Sequence, residues 1–137
     1  MKTLNTPLIR SLLAGLAGFV AYGSWASFAN WPHGEAIALR SGLVQGSYSL
    51  VLTLSMTLVT EWLHNRFINL PGTILWVMLI VCPALFTTAY VINMIAGTPE
   101  ILMTILPGFV IGSVYTLVYL MGLQRIAAAV YQLPEGS

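Results

Sequence analysis

Apolar residues run along this chain in four long stretches broken by short polar segments, at about residues 11–31, 39–63, 71–96 and 101–123. Each reaches the roughly 20 residues that a helix needs to cross a hydrocarbon core of roughly 30 Å. The two-residue alternation of a membrane barrel strand is missing. The connections at 32–38, 64–70 and 97–100 are short enough to force sequential helices into antiparallel contact. The expected fold class is an all-α membrane protein, a four-transmembrane-helix bundle forming a single domain over residues 1–137.

A second regularity lies on top of the first. The string GLVQGSYSLV at 42–51 aligns with GFVIGSVYTLV at 108–118, with one residue inserted at Val114. Ala26, Asn30 and Gly34 fall 63 residues before Ala89, Asn93 and Gly97, and Glu35 and Glu100 follow their glycines closely. Two readings fit: chance within the small alphabet of membrane sequences, or duplication of a helical hairpin. Duplication gives two parallel repeats, about 8–66 and 67–125, related by a pseudo-twofold axis along the membrane normal. It also makes the first span a retained helix and not a cleaved signal, although Lys2 and Arg10 precede it.

Gly42 and Gly46, like Gly108 and Gly112, are spaced to let helix backbones approach closely in lipid. They predict either an oligomer seam or contact between the second and fourth helices of one chain.

Composition agrees with the spans. Hydrophobic residues make up 58% of the chain and charged residues 7%, against about a quarter charged in soluble domains; the mean hydropathy is +0.86. Lys2, Arg10, Arg66 and Arg125 fall on one side of the membrane and Arg40 on the other. That asymmetry predicts a multi-pass protein of the plasma (inner) membrane with both termini cytoplasmic. A net charge of +1 supplies no field for capturing nucleic acid.

Polar side chains near the spans cluster toward the outer ends, where Ser24, Ser27, Gln45, Ser47, Thr88 and Thr104 join more strongly polar groups. Such groups are costly in lipid and face the bundle interior or a wet cavity. An outward-facing polar pocket is therefore expected, with Asn30, Glu35, Arg40, Gln45, Asn93 and Glu100 as ligand-binding residues. Asn30 and Asn93 would face each other across the pseudo-axis, Glu35 and Glu100 would ring the mouth, and Arg40 would pair an anionic head. Local structure offers competing roles. The asparagines suit helix C-caps, the run Thr98, Pro99, Glu100 suits a capping box with proline at the first helical position, and Arg40 can snorkel. Glu61 and His64 are spaced to pair on one helix face. Pro83 and Pro107 should kink their helices.

Catalytic and metal chemistry find little material. His33 and His64 fall on opposite sides of the membrane, and Cys82 is alone, so neither a metal site nor a disulfide is expected. No nucleotide loop, nucleophile elbow or metalloprotease element occurs. No cofactor and no enzymatic activity are expected. The expected function is binding or translocation of a small polar or lipid-linked solute, with membrane lipid as a partner and as a homo-oligomer. The alternative is a non-enzymatic accessory or assembly subunit of a larger membrane complex, held through its glycine faces.

Overall fold

The computed structural model describes residues 7–132. The chain forms α1 (Pro7–Asn30), a 3-10 turn (Trp31–His33), α2 (Glu35–Phe67), α3 (Thr73–Ile95) and α4 (Ile101–Tyr131). All four α-helices are long and apolar enough to cross a membrane, the mark of a multi-pass membrane protein, and no strand occurs among the described residues. Lys2, counted above among the cationic residues, lies outside those residues. The α1–α2 and α3–α4 turns share one end of the bundle, here the hairpin end. The start of α1, the end of α4 and the α2–α3 loop share the other, the terminal end.

Helix limits depart from the apolar stretches for a physical reason. Hydropathy marks the thickness of hydrocarbon, while a helix continues wherever its backbone bonds are made. Gly34, at φ +110°, turns the chain in a conformation that favours glycine, so α2 restarts at Glu35. Glu35 then occupies the first turn of α2, where a carboxylate complements the helix dipole. At the other extreme α4 continues through 31 residues to Tyr131, about 46 Å at the usual helical rise. The outer surface of the bundle is apolar along its length: Phe28, Leu58 and Ile95 are 70%, 69% and 79% exposed, a surface suited to acyl chains and not to water.

Glycine decides the closest packing. A Cβ at Gly23 would lie 2.9 Å from the Gly42 carbonyl oxygen, and one at Gly46 would lie 2.9 Å from that of Phe19. The backbones of α1 and α2 therefore touch. This corrects the expectation that Gly42 and Gly46 serve an oligomer seam or meet α4, because their surface is already covered by α1. The α3–α4 hairpin closes differently. A Cβ at Gly112 would sit an ordinary 3.6 Å from Leu85 Cδ1, and Gly108 faces the Gln45 and Tyr22 side chains at 3.7 Å. Sixty-three residues after Gly23 stands Phe86, which packs edge-on against Phe109 at 5.5 Å between centroids. An aromatic pair at the level where the first hairpin has glycine holds the second hairpin open.

The apolar core lies among α2, α3 and α4, built from Met56, Leu63, Val77, Val81, Leu85 and Leu120. Polar rungs tie α2 to α4 alongside it. The Thr57 and Tyr115 hydroxyls are 3.3 Å apart, Tyr119 donates to the Glu61 carboxylate, and His64 Nε2 meets Gln124 Oε1 at 3.1 Å. Glu61 and His64 thus reach across to α4 and do not pair with each other. Both prolines sit inside continuous helices. Pro107 has no N–H to offer the Met103 carbonyl one turn earlier. Trp25 repairs that gap, its indole N–H donating to Met103 O at 2.7 Å.

Candidate functional site

The polar residues of the hairpin end form a closed hydrogen-bond cluster. Asn30 and Asn93 are fully buried and Gln45 is 2% exposed. Asn30 donates to Ala26 O and to Thr104 Oγ1, both at 2.8 Å, and its Oδ1 accepts the Glu100 backbone N–H at 3.0 Å. Asn93 repeats the scheme: it donates to Ala89 O at 3.0 Å and to Gln45 Oε1 at 2.8 Å, while its Oδ1 accepts the Thr98 hydroxyl at 3.1 Å. Each asparagine back-bonds within its own hairpin and crosses to the other, Asn30 to α4 and Asn93 to α2.

The six candidate residues are not gathered into an open outer pocket. Asn30 and Asn93 do not face each other across a cavity; each joins a different helix pair, and their amide groups are satisfied internally. Glu100 is the N-cap of α4 by position, with no side-chain cap bond, because Thr98 gives its hydroxyl to Asn93 instead. The expected capping box is therefore not formed. The Glu100 carboxylate meets His33 Nε2 at 2.9 Å on the surface. Arg40 donates to Gly97 O at 3.2 Å, closing the α3–α4 turn. Glu35 takes its place in the first turn of α2. Of the six, Gln45 is the one that lines the cleft beneath the cluster.

Burial makes this cluster a stability element. Asn30→Leu would orphan the Glu100 N–H, and Asn93→Leu would orphan the Gln45 carbonyl and the Thr98 hydroxyl. Each variant is expected to cost about 1–3 kcal/mol, read as a lowered thermal midpoint in detergent. An unchanged midpoint for both would show that the cluster contributes nothing.

Beneath the cluster lies a cleft of about 450 Å³. Small residues of α1 at helical spacing, Ala14, Ala17, Gly18 and Ala21, form one wall, and Gly108, Ile111, Gly112 and Tyr115 of α4 form the facing wall. Tyr48, Leu52 and Met56 of α2, with Leu85 and Ala89 of α3, make the back. No charged side chain lines it. At the hairpin end side-chain hydrogen bonds tie α1 to α4 through Trp25 and Asn30. Farther along, Ala14, Ala17, Ile111 and Tyr115 are exposed, so the cleft opens sideways between α1 and α4.

Gln45 supplies a directional feature. A backbone carbonyl can only accept, so the bond to Ala89 O fixes which end of the Asn93 amide is nitrogen. That nitrogen then requires the oxygen of Gln45, and Gln45 Nε2 is left facing Gly108 in the cleft. Nε2 has no acceptor among the described residues. The Tyr22 ring converges on the same point, with Cδ1 3.7 Å from the Gly108 Cβ position.

Sequence reasoning missed Tyr22 and the α1 wall. The wall was legible as a small-residue stripe at i, i+3, i+4 and i+7, but such a stripe equally signals helix packing. No family model matches the chain, and neither a curated protein nor a solved structure matches it.

Proposed function

We propose that this protein binds a lipid or lipid-linked solute of the membrane in the α1–α4 cleft. The observation that carries the reading is the sideways mouth: an apolar cavity opening between two helices on an apolar surface is reached from hydrocarbon. Its volume lies within the range of roughly 300–1,000 Å³ usual for small-molecule sites, and its lining is mostly apolar. The reading narrows the expected solute class, because the buried cluster leaves no wet outer pocket for a purely polar one.

The reading places the chain in a prokaryotic plasma membrane, both termini cytoplasmic, with the hairpin end outward. Support comes from Lys2, Arg10, Arg66 and Arg125 against Arg40. The matched bonding of Asn30 and Asn93 supports hairpin duplication. The role is binding or transfer without catalysis, and the cleft is complete within one chain, so neither a homo-oligomer nor a larger complex is required. The accessory-subunit reading keeps only the Gly108 and Gly112 face, since Gly42 and Gly46 are covered by α1.

A photoactivatable fatty chain in reconstituted vesicles tests this. Label is expected to concentrate on residues 14–22 and 105–115, above the level on the exposed α2–α3 face at Leu43, Val51 and Ile92. Even labelling around the bundle would sink the reading.

A further inference from the structure

Resting on that reading, we infer that the ligand carries an uncharged hydrogen-bond acceptor, a carbonyl oxygen joined to its apolar chain, and that the Gln45 amide recognises it. Gln45 Nε2 is a donor on a side chain only 2% exposed, oriented into the cleft by the relay from Ala89 O through Asn93. The Nε2 atom itself reaches the cleft surface, where an acceptor arriving from an apolar surrounding gains a hydrogen bond that hydrocarbon does not offer. The Tyr22 ring lines the same wall, and its hydroxyl, which has no partner among the described residues, can either donate or accept. Gln45 Nε2 can only donate, so the group that it selects is an oxygen that accepts.

Charge decides between a carbonyl and an anionic head. No cationic side chain lines the cleft, and Arg40 is engaged beyond the cluster with Gly97 O. A carboxylate or phosphate entering here would be desolvated without a counter-ion, which is costly. A neutral carbonyl incurs no such cost. This chemistry has two sources in a membrane: the acyl ester of a bilayer lipid and the ring carbonyl of a prenylated quinone.

The experiment is competition against the photoactivatable chain, using matched probes on the full-length protein in vesicles. A long-chain methyl ester is compared with the alkyl methyl ether of equal length, and a prenylated benzoquinone with the corresponding prenylated benzene. Wild type is expected to favour at least one carbonyl compound over its counterpart by about tenfold, and the preferred pair identifies the source. In Gln45→Leu the preference should vanish while the ether still competes. Equal competition within both pairs in wild type overturns the inference and leaves the cleft reading standing; this comparison needs no variant to fold. A preference that survives Gln45→Leu overturns the role of Gln45. Failure of the photoactivatable chain itself to label the cleft overturns the proposed function and this inference together.

Discussion

Gly42→Leu is expected to abolish the folded bundle, the largest effect of any single substitution in the chain. A Cβ at that position would lie 2.0 Å from Ser27 Oγ and 2.8 Å from Gly23 O. The serine can rotate away, but Gly23 O belongs to the α1 backbone and can retreat only if the helices separate. Separation would also pull Gly46 from Phe19, so the whole seam is lost. Even Gly42→Ala and Gly46→Ala should each cost about 1–3 kcal/mol through overpacking. Gly112→Ala and Gly122→Ala are the controls, since the first would make ordinary contact with Leu85 and the second meets nothing within 4 Å. Thermal unfolding in detergent should rank the four alanine variants in those two groups. Equal midpoints across the groups would mean that backbone contact does not hold α1 to α2.

Gly108→Leu is expected to empty the cleft while leaving the fold intact. Its Cβ position has ordinary spacing to its neighbours, Gln45 Nε2 and the Tyr22 ring, so the first carbon is accommodated and the rest of the side chain grows into the cavity. Fatty-chain labelling of residues 14–22 should fall by about tenfold or more, the effect of losing a contact worth about 1.4 kcal/mol or more. The thermal midpoint should stay near that of wild type, because no backbone has to move. Ala17→Phe, which fills the cleft from the opposite wall, should behave alike. Full labelling in both variants would place the bound chain elsewhere. A loss of stability matching that of Gly42→Leu would show Gly108 to be a packing residue.

The helices were legible in the sequence because each apolar stretch was long enough to span a bilayer and nothing else in the chain competes with that signal. Their limits were less so: the polar stretch around His64 and Arg66 reads as a loop, yet its backbone continues the helix. The glycine pairs were legible as close-approach sites, but not the surface each would meet. That depended on what stands opposite: Gly23 and Phe19 opposite Gly42 and Gly46, and a gap held by Phe86 and Phe109 beside Gly112. The polar cluster was legible as a set of residues and not as a geometry. Asn30, Gln45 and Asn93 were singled out for their cost in lipid, and the same cost drives them to satisfy one another. A polar set in a small bundle therefore marks a buried network as readily as an open site. Trp25 illustrates the limit further, since its role depends on the carbonyl that Pro107 leaves free 78 residues away in sequence.

The most direct test of the cleft as a binding site is native mass spectrometry of the wild-type protein extracted gently with its surrounding lipid. The expected spectrum shows one retained molecule per chain, neutral and carbonyl-bearing, which is absent from Gly108→Leu prepared in the same way. A wild-type spectrum with no retained molecule, or the same adducts on both proteins, would contradict the account and leave the cleft as a gap between two unequal hairpins.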